Sequence, residues 1–153
     1  MALSRVTKLY GVADAKIFPL TSDTVSALTY GAAIDVPGIQ TIKLTPTYEE
    51  KELKGDDAVL ESDTKLASID FSFQHAKLSL DAMAVLEGGT VTDSGVSPNQ
   101  KTTYTLTTSS KPGYFKFEGQ VRYVDQAAGD VHLILYKAKA GKVDIEVKGD
   151  DYV

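Results

Sequence analysis

The sequence predicts a mainly β fold, a β-sandwich or partial barrel with one short α-helix packed on it. Three observations point there. Apolar and polar residues alternate with a period of two in several segments, Gly/Pro/Asp/Asn clusters separate those segments, and only one stretch carries helix-boundary signals. At 153 residues the chain is of single-domain size and can bury a core without staples. It is read as one domain, 1–153, with no internal repeat or low-complexity tract.

In chain order, the first strands are expected at Thr7–Ala13 and Ala15–Leu20, and a further one at Ile39–Thr47, after the Val36-Pro37-Gly38 turn signal. Glu49 to Thr64 then reads as a long acidic loop. Its carboxylates, Glu49, Glu50, Glu52, Asp56, Asp57, Glu61 and Asp63, face only Lys51 and Lys54, so the stretch alone carries the −5 formal charge of the whole chain. A strand follows at Leu66–Gln74. Ser68, Asp70, Ser72 and Gln74 form its wet face, and Ala67, Ile69, Phe71 and Phe73 its dry face.

A helix is expected over 79–87. Ser79 is the N-cap, Asp81 complements the dipole, Leu80, Met83, Ala84 and Leu86 form the inward face, and Gly88-Gly89 form the stop. Strands are expected again at Thr102–Thr108, Tyr114–Val124, Val131–Lys137 and Val143–Lys148. In Tyr114–Val124 the phase runs through Gly119, a position suited to a bend or bulge. Val131–Lys137 is densely apolar, as a central strand would be.

Composition excludes several functional classes. There is no cysteine, hence no disulfide, thiol nucleophile or thiolate metal site, which fits a reducing compartment or a particle assembled in one. A pI near 5.0 and scattered Lys and Arg argue against general affinity for nucleic acid or anionic membrane. Met1–Gly11 has no apolar run of signal-peptide length, and no run approaches a membrane helix.

Catalytic motifs are equally sparse. His75 and His132 lie inside expected strands without a motif, and Ser109-Ser110-Lys111 sits beside a Pro-Gly turn where serine serves turn chemistry. Gly141-Lys142 lacks the remainder of a phosphate loop. Asp56, Asp57, Glu61 and Asp63 lack the alternate-residue spacing of a calcium loop. The adjacent Glu49 and Glu50 would point to opposite faces of a strand, unlike a glycosidase pair. The expectation is a structural or binding protein with no catalytic residue, metal or cofactor.

The order of features resembles one family. Leu53-Lys54-Gly55-Asp56-Asp57 is followed by the alternating strand Ala67–Phe73, then by Leu78-Ser79-Leu80-Asp81-Ala82 and Leu86-Glu87-Gly88-Gly89. In this arrangement the chain resembles the major tail proteins, or tail tube proteins, of long-tailed (siphovirus-type) bacteriophages. The opening, Leu9-Tyr10-Gly11 with Ala15–Leu20, looks like that family's first hairpin. The resemblance covers about the first ninety residues in order and spacing.

What the resemblance implies is architectural. Six copies would form a ring whose strands join into one inner barrel, and stacked rings would form the virion's tail tube, assembled in the host bacterial cytoplasm. The partners implied are further copies of the chain together with tape measure, tail terminator and distal tail proteins. DNA would pass through without specific binding, and no membrane is involved. Ser68, Asp70, Ser72 and Gln74 are then the first candidates for the lumen wall, and Glu118 and Gln120 the second. Glu49, Glu50, Glu52, Asp56, Asp57, Glu61 and Asp63 would form an inter-subunit or inter-ring loop that orders on assembly, with Val59 and Leu60 as its apolar docking contacts. The segment before Thr7 is a further candidate contact. Alternatives are the tube of a type VI-like secretion or contractile injection system, and a β-sandwich carbohydrate- or receptor-binding module. The absence of Trp disfavours the module.

Overall fold

The computed structural model describes residues 9–56, 58–123, 129–141 and 143–145. It is mainly β with one short helix and open sheets, as the alternating pattern predicts. The chain divides into two compact units, a body formed by residues up to Gln40 and from His75 onward, and a second unit, Thr41–Gln74.

The body is built on β1 (Leu9–Asp23), β2 (Leu28–Tyr30), β3 (Ile34–Asp35), β8 (Tyr114–Tyr123) and β9 (Val131–Lys139). Their order is β2-β1-β8-β9, with β3 also paired to β1. Antiparallel register sets Ile17 against Phe117 and Ala15 against Gly119, then Phe117 against Leu135 and Gly119 against Leu133. Because side chains alternate, this register collects Ala15, Ile17, Phe115, Phe117 and Val121 on one face, where all five are buried. Gly119 lies in regular register on that face, so it marks neither a bend nor a bulge.

Two strand expectations change. The anticipated pair Thr7–Ala13 and Ala15–Leu20 is one strand from Leu9 onward, not a hairpin. The irregularities there are register shifts near Val12, beside Gly11 at φ 67°, which bend β1 without reversing it. The densely apolar β9 ends the strand order instead of lying at its centre. Its apolar residues serve both faces, with Leu133 and Leu135 half-buried and Ile134 and Tyr136 exposed.

The sheet curls. β2 and β9 stand three strand spacings apart in order, roughly 14 Å in a flat sheet. Yet the Tyr30 hydroxyl donates to the Tyr136 carbonyl at 2.7 Å, and the Lys137 ammonium donates to Asp23. Lys116 Nζ sits between them, 3.8 Å from the Phe18 ring centroid and 5.3 Å from that of Tyr30. The Tyr30 hydrogen bond links the outer strands β2 and β9, while the Lys137 and Lys116 contacts tie β9 and β8 to Asp23 and Phe18 of β1.

The helix forms as its caps dictate. α1 (Leu80–Glu87) begins at Ser79, whose Oγ accepts from the Ala82 N–H at 3.3 Å, and ends at Gly88, left-handed at φ 75°. Ala82, Met83 and Leu86 are buried, while the expected inward residues Leu80 and Ala84 are only half-buried. The helix packs against β3, β8 and β6 (Thr90–Ser94), and β6 pairs with β7 (Lys101–Thr105). Beyond Lys139, Val143–Ile145 is not strand, and the rest of the expected strand 143–148 lies outside the described residues.

The Gly88-Gly89 pair does more than stop the helix. A Cβ at Gly88 would stand 2.1 Å from the Lys111 carbonyl oxygen, and one at Gly89 would stand 2.5 Å from the Tyr104 ring. Gly88→Ala combines a strained positive φ with a backbone clash and is expected to cost about 3 kcal/mol or more in urea unfolding. Gly113→Ala, whose Cβ would approach nothing nearer than the Val85 carbonyl at 4.0 Å, is the control expected to be near neutral.

The room left at Gly89 lets Tyr104 cross the helix end, where its hydroxyl donates to Glu87 Oε2 at 2.7 Å. Burial, then this hydrogen bond and the Glu87 charge, push the phenol up to about 12 from its usual 10.0. The folded state thus holds the proton more tightly than the unfolded chain. The stability this contributes is complete below about pH 10 and is lost as pH rises through about 12. Melting temperatures of wild type should therefore fall across that window more steeply than those of Tyr104→Phe.

Candidate functional site

The feature that stands out is the second unit. β4 (Ile39–Gly55) and β5 (Ala58–His75) pair as a two-stranded ribbon of 17 and 18 residues, about three times the usual strand length. The expected acidic loop over 49–64 is therefore strand on both sides of a tight turn. Asp56 stands in that turn at φ 50°, which aspartate tolerates. Gly55-Asp56-Asp57 between alternating segments was the available hairpin signal. The density of carboxylates, which disfavour strands intrinsically, points the other way, to a loop.

Glu49, Glu50 and Glu52 lie on β4; Val59, Leu60, Glu61 and Asp63 lie on β5, and Asp57 falls outside the described residues. Ser62 Oγ donates to Glu50 Oε1 at 2.8 Å, and Lys54 meets Glu52 at 3.2 Å, so these four share one face of the ribbon tip. By alternation Leu53 and Val59 fall together on the other face, beside Glu49, Lys51, Glu61 and Asp63. Both apolar side chains are more than half exposed, at 59% and 52%. Leu53 is an exposed apolar residue of the tip that the candidate set omits. It is spaced like Val59 about the turn, a symmetry visible only once 49–64 is taken as a hairpin.

Nearer the base of the ribbon, Ser68, Asp70, Ser72 and Gln74 line one face of β5 and are all exposed. Ile69, Phe71 and Phe73 line the other, with Phe71 and Phe73 stacked at 5.4 Å between centroids. That face is not a dry core. Phe71 and Phe73 are half-buried and Ile69 is 45% exposed. Glu118 and Gln120 stand elsewhere, on the polar face of the body sheet. There Glu118 meets Lys116 at 3.6 Å and His132 at 3.2 Å, and Gln120 donates to Asp130.

The residues weighed for catalysis have local structural partners. His75 Nδ1 lies 2.7 Å from the Lys77 carbonyl at the ribbon's end. Ser110 Oγ accepts from the Thr107 N–H at 3.1 Å, and Ser109 Oγ lies 2.9 Å from Thr107 Oγ1, so both serines shape the turn before Lys111. The carboxylates of 49–63 are strung along two strands, and among the described residues no group of three or more His, Asp or Glu converges as metal ligands would. Among the same residues no helix is long and apolar enough to cross a membrane.

No family model, curated protein or solved structure matches the chain.

Proposed function

We propose that this chain is a self-assembling structural protein, the subunit of a tail tube of long-tailed bacteriophages, built as stacked six-membered rings through which DNA passes. The observation that supports this most is the ribbon of β4 and β5. A two-stranded ribbon is at best marginally stable in water, and this one spans roughly 55 Å with apolar side chains exposed along its length. Its composition makes sense if neighbouring copies cover the Ile69 side and extend the sheet. Closing such strands into an inner barrel leaves the opposite face, Ser68, Asp70, Ser72 and Gln74, to line a lumen.

That face carries hydroxyls, an amide and one carboxylate. A DNA conduit requires such a lining, since each lysine contact would release counterions and make the polymer stick. Glu118 and Gln120 fit the lumen less well, being engaged within their own sheet. Tape measure, terminator and distal tail proteins are the partners this reading implies, and the virion tail is the location. A tube of a contractile injection or type VI-like system would use the same features and differ in its particle.

Negative-stain electron microscopy of the purified protein across a concentration and salt series tests the proposal. Hollow tubes or closed rings are expected. A monodisperse monomer at every concentration and salt would instead favour a β-sandwich binding module.

A further inference from the structure

Two surface patches of this chain are opposite in charge and alike in apolar character. The first is the ribbon tip, where Leu53 and Val59 stand exposed on one face beside Glu49, Glu61 and Asp63, with Lys51 the one cation of that rim. The second lies in the body, where β8 starts and β9 ends. There Tyr114 is 46% exposed and Tyr136 62%, and Lys137 Nζ and Lys139 Nζ lie 4.8 and 5.5 Å from the Tyr114 ring centroid.

Register explains how the lysines converge. Tyr114 pairs directly with Lys139, and the shift between Phe115 and Phe117 inserts an extra residue into β9 and directs Lys137 to the same corner. Lys137 is tied to Asp23, which raises its pKa and keeps it charged. Lys139 has no carboxylate partner among the described residues. Among those residues, its ammonium is open to an incoming anion.

We infer that the ribbon tip of one copy docks on the Tyr114–Tyr136–Lys139 corner of another copy. This rests on the self-assembly proposed above and names the surface that receives the tip. Leu53 and Val59 would pack on the two tyrosine rings, while Glu61 and Asp63 would meet Lys139 at the border. An apolar centre with a charged rim of matched sign is the usual anatomy of a specific interface. The contact is head-to-tail, because tip and corner are different surfaces, so it propagates into rings or filaments and not into a closed dimer. A free polyanion would be a poorer occupant. The corner holds few cations, one of them already paired with Asp23, whereas the tip supplies carboxylates together with the apolar groups the tyrosines lack.

Charge reversal with mixing tests this. Lys139→Glu and the pair Glu61→Lys/Asp63→Lys change exposed side chains, and circular dichroism checks that each variant is folded. Sedimentation velocity should show each variant alone needing about tenfold more protein than wild type to assemble. An equimolar mixture of the two should recover wild-type assembly, since every tip then finds a corner of opposite charge. Variants that assemble like wild type would overturn the contact and leave the tube reading standing. Variants that fail alone and also fail when mixed would overturn it too. A wild-type chain that stays monomeric under all conditions would remove both proposals.

Discussion

Ile69→Asp is expected to abolish assembly while shifting the melting temperature of the body by no more than about 2 °C. Ile69 is 45% exposed in the single chain, so the isolated subunit loses little buried area, and exposed substitutions generally stay within about 0.5 kcal/mol. In an assembled tube the same position would be covered. A carboxylate there would be desolvated without a partner, at a cost of several kcal/mol per copy that every subunit would bear. Electron microscopy and sedimentation of the variant, alongside a thermal melt, separate the two effects. An Ile69→Asp protein that still forms tubes would mean that this face of β5 is solvated in the particle. The interface would then have to be sought elsewhere.

Phe117→Ala should do the reverse. Phe117 is 1% exposed and lies between Ile17 on β1 and Leu135 on β9, at the centre of the body sheet. Removing its ring should cost about 3–5 kcal/mol and lower the melting temperature by about 10 °C. The ribbon, a separate compact unit, carries none of this packing. Assembly of the variant below its melting point should therefore be retained. A small loss of stability would show that the core around β1 and β8 can collapse into the cavity. Taken together, the two substitutions ask whether the body supplies stability and the ribbon supplies association.

The parts of this architecture legible in the sequence are those with short-range causes. Ser79, Asp81 and Gly88-Gly89 bound the helix by satisfying its end groups locally, and the structure places both caps at those residues. The alternation in Tyr114–Val124 marks a strand because its apolar residues share one face, and Phe115, Phe117 and Val121 are buried together there. The alternation in Leu66–Gln74 located a strand equally well. It did not reveal that the Ile69 face would lie largely open in the single chain, since a period of two says that one side is apolar and not what covers it.

The acidic stretch shows the opposite case. Propensity makes this acidic segment a loop, and the structure makes Glu49, Glu50, Glu52, Glu61 and Asp63 the far end of a ribbon, because pairing of β4 with β5 satisfies their backbone groups whatever the side chains prefer. The division of the charged side chains between two faces, and the place of Leu53 beside Val59, depend on that pairing. The position of β9 was hidden for a related reason. A dense apolar run fits either a central strand or an edge strand with exposed apolar side chains, and only sheet order separates them.

By itself, then, the sequence determined the β class, the helix with its caps, the faces of the alternating strands and the concentration of negative charge in one segment. These follow from backbone sterics, side-chain periodicity and composition, which act within a few residues. Tertiary structure alone decided that Leu9–Asp23 runs as one strand, that Tyr30 of β2 reaches the Tyr136 carbonyl of β9, and that the charged segment extends as a ribbon. Each of these depends on hydrogen bonds between residues distant in the chain, and no local pattern encodes which strand will be the neighbour.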